Sequence, residues 1–169
     1  MVEARGWAEK FEKLMRLVPG MKGYQDKEAF RDSDKAVRLK ISENLGGAKK
    51  ALDSWKRDII DSGSIKGLDL VDRAVRKIEE LADRVKYESY GYSGYFDAAK
   101  IREPELDQLY KFDLGLFEMV DNIVGAVETA RSAGAGDIRG GVNSVEASLR
   151  ELEDILKERH SFEPPPPPG

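Results

Sequence analysis

The sequence predicts an all-α fold, an antiparallel helical bundle of four to five helices followed by a disordered or polyproline C-terminal tail. Three observations support this prediction. Apolar residues recur at intervals of three and four over five segments, which lines one face of a helix in each. Glycine, proline, serine and aspartate cluster between these segments, as they do in turns. No segment alternates β-branched and polar residues between turns in the way that a half-buried strand does.

The first two segments are a short helix and a long one. "VPG" ends the short helix, because proline disfavours the helical conformation of the residue before it. The long helix is expected from about Asp26 to Asp61, with a heptad-like apolar stripe. Gly46 and Gly47 interrupt that stripe and predict a kink or a close helix crossing. The short helix carries its apolar face at Trp7, Phe11, Leu14, Met15 and Val18.

Three more helices follow. The third is expected from about Leu68 to Glu88, and the fourth from about Pro104, because proline suits the first turn of a helix. The fifth begins after Asp137, which is placed to cap it. Its apolar seam must face other helices or a second copy of the chain. That seam consists of Ile138, Val142, Val145, Leu149, Leu152 and Leu156.

Length and composition indicate one domain at residues 1–163 and a proline-rich tail at residues 164–169. A chain of 169 residues is long enough to bury a substantial core. Charged residues make up 36% of the sequence, but the net charge is −4, so the overall basic field of nucleic-acid-binding proteins is missing. The absence of cysteine excludes disulfides and thiolate metal sites. Abundant charge with scarce glutamine and asparagine is also typical of thermophilic proteins.

Charge along the chain argues against a membrane-spanning segment. No window approaches the ~18 continuous apolar residues that a membrane span requires, so a cytoplasmic location is expected. A peripheral contact with an anionic membrane would use the short helix at residues 7–18, which is amphipathic. The cationic pairs at residues 49–50 and 56–57 are interpreted as a solvated face of the long helix.

The sequence contains no recognisable catalytic set. Its one histidine, His160, lies at the end of the last helix, where a cation interacts favourably with the helix dipole. A di-iron bundle needs Glu-x-x-His pairs, and Lys157 stands where the glutamate should be. "GAGDIRGG", Gly134 to Gly141, has Arg139 in place of the third glycine of a dinucleotide-binding loop, and no strand precedes it. We therefore expect no catalytic, cofactor-binding or metal-binding residues.

Two acids interrupt apolar stripes. Asp34 lies four residues after Phe30, and Asp113 lies three residues after Tyr110. An isolated buried carboxylate is costly, so an acid that faces the core needs an arginine, a lysine or a tyrosine hydroxyl as its partner. Two interpretations remain open. The acids form buried or rim ion pairs that fix helix register, or they contact a ligand.

Aromatic residues concentrate in "YESYGYSGYFD", residues 87–97, together with two glycines that favour a turn. Tyrosine suits the rim of a core, because its ring is apolar and its tip is polar. One interpretation is a hydrophobic plug folded back on the bundle, and the other is an exposed patch that binds a partner. The candidate partner-binding residues are Tyr87, Tyr90, Tyr92, Tyr95 and Phe96.

These patterns lead to two functional hypotheses. The first is a non-enzymatic helical interaction or scaffold protein that presents a helix face or the Tyr-rich turn to a protein partner or to itself. The second is a small-molecule or nucleotide-binding protein with a pocket lined by Tyr87, Tyr92, Tyr95 and Asp113. The proline run at residues 164–168 is either a ligand for an aromatic groove or a linker. An enzyme is the least supported class, because the acids lack metal-ligand spacing.

Overall fold

The computed structural model describes residues 6–88 and 103–160. Within these two ranges it contains helices and no strand, which confirms the all-α prediction. Most of the Tyr-rich turn and the whole proline-rich tail lie outside the described residues. The helices are α1 (Gly6–Leu17), α2 (Lys27–Asp61), α3 (Leu68–Tyr87), α4 (Glu103–Ser132) and α5 (Ile138–His160).

Local sequence signals explain where these helices begin and end. The Asp26 carboxylate accepts a hydrogen bond from the Ala29 N–H at 2.8 Å and so caps α2. Asp137 does the same for α5, accepting from the Gly140 N–H at 3.0 Å. Pro19 follows the end of α1 by two residues, as predicted. Capping and turn residues therefore set the boundaries that the apolar periodicity left approximate.

Helices α2 to α5 form two antiparallel hairpins packed side by side. Helices α2 and α4 run parallel. Tyr24, just before α2, hydrogen-bonds Tyr110 near the start of α4, and Arg131, near the end of α4, hydrogen-bonds Asp58 near the end of α2. Helices α3 and α5 also run parallel, because Arg73 bonds Glu146 and, further along both helices, Arg84 bonds Glu153. Around the bundle the neighbours are therefore α2, α3, α5 and α4, in that order.

The bundle has two different ends. The loop end carries the connections at residues 62–67 and 133–137. The α1 end is the opposite one, where α2 and α4 begin and α3 and α5 finish, and α1 packs on the start of α4 there. Helix α4 thus touches three others, and this explains why apolar side chains occur around much of its circumference.

The core is one contiguous cluster of buried apolar side chains that runs from end to end. The seam of α5 is buried throughout, with exposures of 7% or less, so it faces the other helices of its own bundle and leaves no seam for a second copy. The apolar face of α1 also turns inward, with Leu14 and the following Val18 fully buried and Trp7 and Phe11 packed against the core. Met15, which was expected on the same face, is instead 46% exposed.

The close helix crossing expected at Gly46 and Gly47 of α2 is not present among the described residues. The helix continues unbroken through Gly46 and Gly47, and a Cβ atom built on either glycine would meet no described atom within 4 Å. No close crossing occurs there, because the helix packs through the flanking residues Leu45 and Ala48, both fully buried. The two glycines lie on the outer side of that contact.

Candidate functional site

A cluster of charged and phenolic side chains lies buried at the α1 end of the bundle. It consists of Arg159, Asp34, Asp113, Tyr24 and Arg38, and is called the Arg159 cluster below. Four of its members are at most 4% exposed, which is rare for charged groups unless they are paired. These residues come from α2, α4, α5 and the turn between α1 and α2. The cluster therefore joins four separate parts of the chain.

Arg159 is the centre of the cluster. Its Nε donates to Asp113 Oδ1 at 2.8 Å, and its Nη1 donates to Asp34 Oδ1 at 2.6 Å. Its Nη2 donates to the hydroxyl oxygen of Tyr24 at 2.8 Å and contacts the second oxygen of Asp113 at 3.4 Å. All three guanidinium nitrogens thus have partners, using the planar fork of donors that a lysine lacks.

Arg38 completes the charge balance. Its Nε donates to Asp34 Oδ2 at 2.9 Å, one helical turn away on α2. Its Nη1 reaches across to the carbonyl oxygen of Lys86 at 2.9 Å, in the last turn of α3. Two guanidinium groups therefore face two carboxylates, and the C-terminal turn of α3 is tied to the same cluster.

Tyr24 links the cluster to α4 and α1. Its hydroxyl hydrogen-bonds Asp113, and its backbone N–H donates to the hydroxyl of Tyr110 at 3.1 Å. The two tyrosine rings stack, with centroids 5.5 Å apart. Trp7 and Phe11 of α1 also pack on Tyr110, with ring centroids 6.5 and 5.2 Å from its own. Burial raises the pKa of Tyr110 above its usual 10.0, and the hydrogen bond from Tyr24 only partly opposes this.

The turn that holds Tyr24 is fixed by its own hydrogen bonds. The buried Ser33 hydroxyl accepts from the N–H groups of Lys22 and Gly23 at 2.9 and 2.8 Å, and it donates to the Gly23 carbonyl. Gly23 has a φ of +98°, and a Cβ there would lie 2.8 Å from the Tyr110 hydroxyl oxygen. Glycine is therefore required at this position on two separate grounds.

Another buried acid, outside the Arg159 cluster, lies between α5 and α3. Glu146 is 6% exposed, and its carboxylate accepts from Arg73 Nε at 2.7 Å and Lys77 Nζ at 3.1 Å, both on α3. Burial raises the pKa of this carboxyl, but the hydrogen bonds from Arg73 and Lys77 outweigh it and hold the pKa below its usual 4.5. Glu146 of α5 thus forms ion pairs with two half-exposed cations of α3.

Two surface depressions in the described part of the chain are lined by side chains of both charges. An open cleft of about 440 Å³ lies at the loop end, where Lys66 and Arg139 are matched by Asp69 and Asp137. A groove of about 230 Å³ between α3 and α5 is lined by alternating acids and cations. Within residues 6–88 and 103–160, no group of three or more potential ligand side chains could hold a metal ion.

The residues singled out by the sequence fall into two groups. Asp34 and Asp113 are both buried, and they meet at Arg159. Tyr87 is 74% exposed at the end of α3, and the Lys86 ammonium lies 5.2 Å from its ring centroid. The other candidate partner-binding residues, Tyr90, Tyr92, Tyr95 and Phe96, lie outside the described residues.

Sequence reasoning did not identify Arg159 or Tyr24. The signal for Arg159 was present, because it follows Leu149, Leu152 and Leu156 at spacings that continue the apolar seam of α5. The signal for Tyr24 was weaker. It lies outside any helix, where periodicity gives no information, yet its exposure is 0%.

Comparisons with known proteins add no further information about the site. No protein-family model, curated protein or solved structure matched the chain. In the part of the chain that the structure describes, no helix is both long enough and apolar enough to cross a membrane.

Proposed function

We propose that the chain is a non-enzymatic helical interaction module that presents the α1 end of the bundle, with Tyr87 as an aromatic anchor, to a protein partner. The observation that carries this proposal is that Tyr87 is 74% exposed while the backbone of the residue before it is held in place by a hydrogen bond. Arg38 holds the carbonyl of the preceding residue, Lys86, and is itself bound to the buried Asp34. An exposed aromatic side chain on a fixed base loses little conformational freedom when a partner binds it.

The Arg159 cluster supports this proposal as a scaffold. Its carboxylates and guanidinium groups bind one another, and Asp34, Asp113 and Arg159 are each at most 4% exposed. Groups so buried and so paired are poorly placed to bind a ligand or to transfer protons. Their effect is to fix how α2, α4 and α5 meet at the end from which Tyr87 extends.

The properties of tyrosine and the residues next to Tyr87 also favour a binding role for it. Tyrosine is enriched at the centres of protein interfaces, because its ring buries a large apolar area and its hydroxyl retains a hydrogen bond. The Lys86 ammonium near the ring adds a cation–π contact. Four more aromatic residues follow Tyr87 within the sequence of the Tyr-rich turn.

The experiment is affinity capture from a lysate of the source organism with matched variants of the full chain. Tyr87→Ser alone and Tyr87→Ser with Tyr92→Ser and Tyr95→Ser remove the proposed anchor. Ile65→Ser is the control, because Ile65 is 81% exposed and lies at the loop end. We expect a protein that the wild type and the control retain, and that the triple variant loses. Equal retention by all four chains would overturn the proposal.

Two further arms distinguish the related hypotheses. A chain that stops at Glu163 tests the proline-rich tail, and loss of the partner with this chain alone would move recognition to the tail. Sedimentation tests self-association, and a dimer that Tyr87→Ser dissociates would make a second copy the partner. The small-molecule hypothesis has less support, because Asp113 was expected to line its pocket and is instead 0% exposed against Arg159. Thermal stabilisation of the chain in a ligand screen would restore it.

A further inference from the structure

Arg159, the centre of the buried cluster, lies in the last turn of its helix. Arg159 is the penultimate residue of α5, which ends at His160. The last turn of any helix lacks intrahelical partners for its carbonyl groups and frays readily. A guanidinium group that is 1% exposed is thus carried by a turn whose own backbone hydrogen bonds hold it only weakly.

Arg159 holds three other parts of the chain from this position. It binds Asp34 near the start of α2, Asp113 of α4, and the hydroxyl of Tyr24 in the turn between α1 and α2. If the last turn of α5 unwinds, the guanidinium leaves and two buried carboxylates lose this cation. Such carboxylates are stable only when water or another charge reaches them, so the surrounding packing must open.

Helix α1 depends on the same contacts through its aromatic neighbours. Trp7 and Phe11 rest on Tyr110, and Tyr110 is stacked in turn on Tyr24. Beyond these contacts α1 has an ion pair between Lys10 and the α4 residue Asp107, both about one-third exposed. Partly exposed ion pairs contribute little to stability, so α1 is held mainly by the aromatic stack and by Leu14, which is fully buried in the core.

The loop end has its own independent contacts. The Trp55 indole N–H donates to the Gly134 carbonyl at 3.2 Å, and Arg131 bonds Asp58 at 2.8 Å. Trp55 itself is fully buried. None of these residues contacts a member of the Arg159 cluster in these hydrogen bonds, so the loop end can stay packed while the α1 end opens.

We infer that the last turn of α5 is a latch, with Arg159 as its positioning residue, whose release frees α1 and residues 18–26 as one unit. Release uncovers the aromatic surface where Trp7 and Phe11 pack on Tyr110 and Tyr110 on Tyr24; the two tyrosines are at most 1% exposed when the latch is closed. The inference goes beyond the proposed function and does not depend on Tyr87. It assigns the α1 end two states that differ in the position of one arginine.

Hydrogen–deuterium exchange of the full chain tests the latch. Arg159→Lys keeps the charge but loses the planar fork, and Arg159→Gln removes the charge. In both variants we expect amides of α1 and residues 18–26 to exchange about tenfold faster or more, with loop-end amides at residues 50–60 and 138–145 changed about twofold or less. Arg150→Gln is the matched control, because Arg150 is an exposed arginine on the same helix. This control should leave exchange in both regions unchanged.

Two outcomes would overturn the inference. A uniform increase in exchange at both ends would show that Arg159 contributes only to global stability. Unchanged exchange in α1 and residues 18–26 would show that these segments do not depend on the last turn of α5. If Arg159→Gln fails to fold, Arg159→Lys decides between the same outcomes, because it retains the cation between Asp34 and Asp113.

Discussion

A double-mutant cycle on Asp113 and Arg159 measures how far the two residues act as a unit. Asp113→Asn removes one of the two carboxylates that Arg159 binds, and it weakens the contact with the Tyr24 hydroxyl. Arg159→Met removes the guanidinium while its unbranched chain fills part of the same volume. Each single change leaves a partly compensated charge in a site with exposures of 0 and 1%.

The expected magnitude follows from this burial. Breaking a buried ion pair by removing one partner costs about 3–5 kcal/mol. For a domain of this size, ~1 kcal/mol shifts the melting temperature by roughly 2–4 °C, so each single variant should melt about 6–20 °C lower. The double variant removes both charges at once, so its loss should be smaller than the sum of the single losses by about 2 kcal/mol or more.

Urea unfolding followed by tryptophan fluorescence provides the measurement, with Trp7 reporting on α1 and Trp55 on the loop end. The control cycle uses Arg84 and Glu153, which pair between α3 and α5 at 2.9 Å and are each about one-third exposed. Its coupling energy should be ~1 kcal/mol or less. Additive losses at Asp113 and Arg159, or single losses no larger than those in the control, would refute a cooperative buried cluster.

Four further predictions each concern one position. Gly23→Ala should destabilise the fold by more than about 1 kcal/mol, because its φ is +98° and its Cβ would crowd Tyr110, whereas Gly47→Ala should stabilise α2 by about 1 kcal/mol; urea unfolding checks both. The pKa of Glu146 is lower in the folded state than its usual 4.5. Ionised Glu146 therefore adds to the free energy of unfolding above about pH 4.5, and this stabilisation is lost as the pH falls through the folded-state pKa. Glu146→Gln should therefore flatten the fall in unfolding free energy below about pH 4.5. The pKa of Tyr110 is raised by burial, so ultraviolet titration should show a phenol that ionises above pH 10 and disappears in Tyr110→Phe.

Helix positions were predictable from sequence because they depend on nearby residues. The spacing of apolar residues, together with Pro104 and the capping Asp137, placed both ends of α2 and α3 and the starts of α4 and α5 within about one residue of their observed limits. Asp34 and Asp113 also stood out, because an acid within an apolar stripe departs from the pattern around it. Periodicity reports on such local relations, and here they were informative.

The partners of those acids were not predictable in the same way. Tyr24 reaches Asp113 across 89 residues and Arg159 across 135 residues, and no local pattern encodes those separations. The order of neighbours around the bundle has the same origin. Each hairpin is determined by its short connection, but which faces of the two hairpins meet depends on side-chain fit that a single sequence does not display.

Apolar stripes alone do not determine how far one helix slides along another. A helix with a heptad-like stripe shifted by seven residues, about 10.5 Å, again meets its neighbours with apolar side chains. In that shifted register Asp34 would no longer reach Arg159, and each charge would be buried without its partner. Because such an unpaired charge costs several kcal/mol, the Arg159 cluster selects one register of α2 against α4 and α5. A single buried arginine near the end of α5 therefore specifies an arrangement that the whole apolar core leaves open.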